Sequence, residues 1–140
     1  MDKFLNDYYE SVSLSDDMKK LILASINQNV MAKKVLMEIA NYDSSIVGES
    51  ASLDGVTKEI IRTSIYTSTT RAKKGENKEN GGEKEIRVVN PSIKVIDDAI
   101  SFLDGATLIY YERALKEKRW KLTVRGLEII AALIDAGEMS

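Results

Sequence analysis

The chain has 140 residues, 44% hydrophobic and 30% charged, enough for one domain with a proper core and too few for two large ones. It contains no cysteine and no histidine, which excludes disulfides and Cys-based zinc or Fe–S sites and removes the commonest general base and metal ligand at neutral pH. The net charge of −2 is not the basic balance of a typical nucleic-acid binder, but its distribution is uneven.

Residues 1–57 carry 5 basic and 9 acidic side chains, and residues 58–94 carry 9 and 5. Residues 95–112 carry 0 and 4, residues 113–125 carry 6 and 1, and residues 126–140 carry 0 and 3. Positive charge therefore sits in two blocks. Screening acts over about 8 Å at physiological salt, so a local patch attracts phosphate while distant acids go unfelt. The opening Met-Asp-Lys-Phe-Leu-Asn-Asp-Tyr-Tyr-Glu has no apolar signal-like core, and no window approaches the ~20 apolar residues of a membrane span. The expectation is a soluble, cytoplasmic protein without a membrane partner.

Residues 1–14 form an N-terminal extension in which Phe4, Leu5, Tyr8, Tyr9 and Val12 pair at helical spacing; a short amphipathic helix and a frayed terminus both fit. The main domain spans residues 15–137. Ser15 followed by Asp16 and Asp17 is a helix start, a hydroxyl cap followed by carboxylates at the positive end of the dipole. Met18, Leu21, Ile22, Ser25 and Ile26 trace one face, and Met31, Val35, Leu36, Ile39 and Ala40 continue the 3.6-residue period beyond Asn27-Gln28-Asn29. One bent helix or two helices satisfy this pattern, which ends at the cluster Tyr42-Asp43-Ser44-Ser45.

After a small-residue loop at 43–52, Leu53 to about Ser64 reads as a helix with Val56, Ile60 and Ile61 inward and Lys58 and Arg62 outward. The β-branched run from Thr63 to Thr70 and the alternating stretch from Glu83 to Val89 read as paired strands. Between them Ala72 to Gly82 has no apolar residue larger than alanine, so nothing offsets the entropy of ordering it and a flexible loop is expected. This is a hairpin inserted where two helices would ordinarily be joined by a few residues.

Asn90-Pro91-Ser92 supplies a cap and an early proline for a helix at about 91–103, with Ile93, Ile96, Ala99, Ile100 and Leu103 on one face and Asp104-Gly105 as a left-handed stop. Leu108–Arg113 and Arg119–Leu122 read as a hairpin turning through residues 114–118. Thr123 caps the last helix. That helix is apolar on two faces, Leu127, Ile130, Ala131 and Ile134 on one and Ile129, Ala132, Leu133 and Ala136 on the other, which calls for a partner subunit as well as its own domain.

The segment from Gly105 through Leu108-Ile109, a basic hairpin, and Leu122-Thr123-Val124-Arg125-Gly126 resembles the winged helix-turn-helix regulators of bacteria and archaea, in the manner of MarR- and PadR-like families and small archaeal winged-helix proteins. The likeness covers about 45 residues closely and the remainder by order of elements. It implies a mainly α fold with a small β-hairpin wing (α+β), extended by extra N-terminal and C-terminal helices. It also implies a recognition helix at about 91–103 entering the major groove.

On that resemblance Asn90, Ser92 and Lys94 face bases or phosphates, with Val95 and Asp98 beside them. Arg113, Lys116, Lys118, Arg119 and Lys121 of the wing at 113–121, with Lys58 and Arg62, meet phosphates. The plain alternative for the wing is a solvated hairpin using charge to protect its strand edges. Asp97 and Asp98 are a departure, because a carboxylate facing DNA repels phosphate unless it accepts from a cytosine amino group. In the inserted hairpin, Arg71, Lys73, Lys74, Lys78, Lys84 and Arg87 are diluted by Glu76, Glu79, Glu83 and Glu85, so a basic arm competes with an ordinary solvated loop. Tyr110, Tyr111 and Trp120 read as strand-pair aromatics before base-stacking platforms, and Met18, Met31 and Met37 as core or interface filler.

No phosphate-binding glycine loop and no Ser with a His base is present, and the adjacent acids Asp16/Asp17 and Asp97/Asp98 point apart on a helix. The sequence thus points away from an enzyme and calls for no cofactor or metal. The function expected is sequence-specific or semi-specific binding of double-stranded DNA by a homodimeric transcriptional regulator joined through its N- and C-terminal helices. The alternatives are a winged-helix module that binds or scaffolds protein, suggested by the acidic recognition helix, and a plasmid or viral replication or partition factor.

Overall fold

A computed structural model describes residues 14–43, 55–72, 84–114 and 116–137. The proposed N-terminal helix and nearly all of the loops at 43–52 and 72–82 lie outside the described residues. The chain forms α1 (Asp16–Gln28), α2 (Val30–Asn41), α3 (Lys58–Ser64), β1 (Thr67–Ala72), β2 (Lys84–Val89), α4 (Ile93–Gly105), β3 (Ile109–Ala114), β4 (Glu117–Leu122) and α5 (Val124–Asp135). The architecture is mainly helical with two antiparallel hairpins, β1–β2 and β3–β4.

The polar Asn27-Gln28-Asn29 stretch divides the first apolar run into two helices. Asn29 leaves helical geometry and its side chain accepts from Ala32 N, capping α2. Ser15 caps α1 in the same way through Met18 N. The expected α1 face is only half right: Ile26 is buried and Ile22 packs partly on the core, but Leu21 and Met18 stay exposed. α2 is the central helix. Its Ala32, Val35, Leu36, Ile39 and Ala40 are all buried, and it packs on α1, α3, α4 and β4.

The helix expected from Leu53 begins five residues late, at Lys58. Gly55 adopts φ +92, a conformation that breaks helical progression and suits glycine. Val56 is then drawn into a two-way bridge with Trp120, its N–H donating to Trp120 O at 3.1 Å and its carbonyl accepting from Trp120 N at 2.7 Å. Thr57 caps α3 through Ile60 N. A single residue of extended chain thus lies along the free edge of β4, a pairing that local periodicity does not encode.

The inserted hairpin is present in the register Thr67↔Val89 to Ala72↔Lys84. Its strands contact each other extensively and no other element to a similar degree. α4 buries Ile96, Ala99, Ile100 and Leu103, whereas Ile93, expected on that face, is 46% exposed. Gly105 is not the expected left-handed stop, since α4 runs through it and the positive φ falls on Thr107, at 63. Thr107 is held there by Asp104 O on its N–H and by Thr123 Oγ1, which donates to its carbonyl at 2.7 Å.

The join between β4 and α5 has a steric cause. Leu122 is buried, Thr123 caps α5 through Gly126 N, and a Cβ on Gly126 would lie 2.1 Å from the Leu108 carbonyl oxygen. Only glycine permits that approach. Of the two apolar faces foreseen on α5, Ile129, Ile130 and Leu133 are buried while Ile134 and Ala131 are exposed.

Candidate nucleic-acid interface

The β3–β4 hairpin extends further than expected, pairing Ile109↔Leu122, Tyr110↔Lys121, Tyr111↔Trp120, Glu112↔Arg119, Arg113↔Lys118 and Ala114↔Glu117. The strands pair as far as Ala114 and Glu117, so the turn is shorter than the expected 114–118. Alternation puts the pairs Ile109/Leu122, Tyr111/Trp120 and Arg113/Lys118 on one face. The first two cover the core, with Ile109, Leu122 and Trp120 buried. The third projects beyond it.

Trp120 and Tyr111 meet edge to face at 5.3 Å, which bears out their reading as strand-pair aromatics. Lys118 Nζ lies 4.5 Å over the Tyr111 ring, steadying a cation that is otherwise exposed. On the opposite face burial pushes the Tyr110 hydroxyl up from its ordinary value, with the Lys121 charge acting in the other direction.

The cations of the β3–β4 hairpin separate into two kinds. Arg113, Lys116 and Lys118 are exposed near the tip. Arg119 and Lys121 are half-buried nearer the root; Arg119 reaches Glu117 at 3.7 Å, and its Nε is buried without a hydrogen-bond partner among the described residues. Arg125, at the start of α5, donates to Thr107 Oγ1 at 3.0 Å and so braces the strained residue after α4.

The sequence candidates on α4 are redistributed. Asn90 is a clasp: its Nδ2 donates to the Thr63 and Ile65 carbonyls at 3.1 and 2.9 Å, closing the root of the inserted hairpin. Ser92 caps α4 through Val95 N. Lys94 is exposed and makes no ion pair among the described residues. At 3.6 residues per turn, Lys94, Asp98 and Ser101 lie opposite the buried stripe, with Ile93 and Asp97 on one flank and Val95 on the other.

Lys58 and Arg62 are also engaged. Lys58 Nζ pairs with Asp97, joining α3 to α4 and giving this acid a local counter-charge. Arg62 Nη2 holds Glu59 at 2.8 Å, which lowers the Glu59 carboxyl below its ordinary range. A cleft of about 400 Å³ lined by Thr57, Lys58, Glu59, Glu117, Lys118 and Trp120 separates α3 from β4. Lys58, which lines this cleft, is also the residue paired with Asp97 of α4.

The sequence reading missed Asp43. It reads there as part of a helix-ending cluster, but it is 1% exposed and its Oδ2 accepts from Leu122 N at 2.7 Å, tying the end of α2 to β4. Nothing in spacing signals such a long-range bond. Among the described residues there is no cluster of three potential metal ligands and no helix long and apolar enough to cross a membrane. No family model, curated protein or solved structure matches the chain.

Proposed function

We propose that this chain is a winged helix-turn-helix protein that binds double-stranded DNA as a transcriptional regulator, with α4 in the major groove and the β3–β4 wing on the phosphates. The observation that carries the proposal is the tip of the wing, where Arg113 and Lys118 are paired directly across the strands with Lys116 in the turn between them. Like charges in one cross-strand position destabilise a hairpin. Concentrating three exposed cations there against Glu117 suits a polyanionic surface.

The order of elements supports the reading: after α1 and α2 come one extended residue bridged to β4, α3, the inserted β1–β2 hairpin, α4, the β3–β4 hairpin and a final helix. Met18 and Leu21 on α1 and Ile134 on α5 are exposed on two helices that pack together, which fits a homodimer formed through the N- and C-terminal helices. Two recognition helices would then meet half-sites about one helical turn apart.

A second reading, a protein-binding module, is favoured by the exposed Tyr66, Val88, Val89 and Ile93 around the root of the inserted hairpin. Salt separates the two. A generic duplex should bind at low salt and lose affinity steeply as salt rises, and Lys116→Glu with Lys118→Glu should abolish that binding while leaving the circular dichroism spectrum unchanged. Absence of duplex binding at low salt overturns the DNA reading in favour of the protein module.

A further inference from the structure

We infer that the inserted hairpin binds a second copy of this chain, β2 pairing antiparallel with β2 of the copy about a two-fold axis through residue 86. The inference is independent of the DNA-binding reading and of the helix-mediated dimer above. The two hairpins differ at their edges. The outer edge of β4 is occupied by Val56, which exchanges both backbone hydrogen bonds with Trp120. β1 and β2 form a sheet of two strands only, and among the described residues no other element packs on them to a comparable degree. Neither strand supplies a core residue among those described. A two-stranded hairpin alone is marginal in water, and further strands are one means of stabilising it. Its unpaired edge presents a row of backbone donors and acceptors to such a strand.

The order of charges identifies the occupant. β2 reads Lys84-Glu85-Ile86-Arg87-Val88-Val89. An isologous contact sets a strand against itself read backwards, so about residue 86 position 85 meets 87 of the copy and position 84 meets 88. Both 85–87 pairs join an acid to an arginine, and no like charges meet. Opposite charges in directly opposed cross-strand positions favour pairing, and like charges oppose it. The register inside the hairpin leaves room for this: Glu85 is opposite Arg71, but Arg87 is opposite Thr69, so the copy supplies the acid across from Arg87. Positions 86 and 88 share the other face of the strand. There Ile86 meets its own copy, and Val88, 65% exposed in the single chain, comes diagonal to it. β1, Thr-Ser-Thr-Thr-Arg-Ala, carries a cation and no acid, and cannot answer itself in this way.

The test uses the full chain, which contains no cysteine. On the two-fold axis the Cα atoms of the two residues 86 would stand about 4.5–5.5 Å apart, within the span of a disulfide. Thr70, the partner of Ile86 within the hairpin, would lie three strand spacings from its own copy, roughly 14 Å, and out of reach. Ile86→Cys should therefore oxidise to a covalent dimer on a non-reducing gel, and Thr70→Cys should not. Adding Arg87→Glu to Ile86→Cys sets two acid pairs beside the axis and should slow cross-linking about tenfold. Mixing that chain with one carrying Glu85→Arg and Ile86→Cys restores opposite charges at both positions and should recover the rate. Equal cross-linking at residues 70 and 86, or none at 86, overturns the inference. A rate at 86 that Arg87→Glu leaves unchanged, or that the mixture fails to recover, overturns the assigned register. No DNA enters the experiment, so its failure is distinct from failure of the duplex test.

Discussion

Arg113 and Lys118 stand directly opposite each other in the β3–β4 hairpin, two cations sharing one cross-strand position beyond the edge of the core. Neither is neutralised by the strand neighbours on that face, which are Tyr111 and Trp120. Stability alone would favour an acid at one of the two. Arg113→Glu supplies it, so thermal unfolding should show a gain of roughly 0.2–1 kcal/mol. On the DNA-binding reading the same change should weaken duplex binding and flatten the slope of log K against log salt by about 1. Stability and affinity moving together in the same direction would argue against a binding role for the pair.

Gly126→Ala tests the steric join between β4 and α5. The new Cβ would fall 2.1 Å from Leu108 O and 3.1 Å from Leu108 C, and backbone cannot swing aside as a flexible side chain can. Urea denaturation should register a loss of about 3 kcal/mol, at the upper end of overpacking costs. Gly105→Ala, where an added Cβ meets nothing within 4 Å, should be neutral or slightly stabilising through helix propensity.

Asn90→Ala removes both donors from the hairpin root and leaves the Thr63 and Ile65 carbonyls short of a partner. The site is only partly buried, so water replaces some of what is lost. A cost of about 1–2 kcal/mol in chemical denaturation follows. Duplex affinity at a temperature where the variant is fully folded should stay within about twofold of the native value; a larger loss would return Asn90 to the set of direct contacts.

Glu38 gives a pH signature. Partial burial raises its carboxyl above the ordinary 4.5, so the folded protein holds that proton more firmly than the unfolded chain does. The resulting stabilisation is complete below the ordinary value and is lost as pH rises through the raised one. Glu38→Gln should therefore melt higher than the native protein at pH 7, with the difference shrinking toward zero near about pH 4. A constant difference across that range would assign the effect to packing rather than ionisation.

Helix caps and periodic apolar runs were readable because they are local: Ser15, Ser92 and Thr123 do cap helices, and α2 buries nearly the face foreseen for it. What escaped depends on residues brought together by folding. Val56 reads as helical by pattern, yet Trp120 supplies a backbone partner sixty-four positions away and wins it for an extended bridge. Asn90 and Ser92 have the chemistry to read bases, but carbonyls and an amide placed beside them by tertiary structure engage that chemistry first. Asp97 is out of place on a helix expected to face DNA, and the Lys58 ion pair that accounts for it exists only in the fold. The basic tip of the β3–β4 hairpin is visible in the charge pattern, although the pattern alone does not separate half-buried Arg119 from its exposed neighbours.

The inserted hairpin leaves and rejoins the body at almost the same point, because Thr67 and Val89 face each other in the ladder and Asn90 closes the gap to Thr63 and Ile65. Paired strand residues are separated by only about 5 Å, the span of a short turn. The excursion is consequently a detachable module. Its length can change, or its tip can accept foreign sequence, without altering the distance the chain must cover between α3 and α4. The helix pair and the hairpin are thus free to diverge independently, one under the constraint of the core and the other under whatever meets its tip.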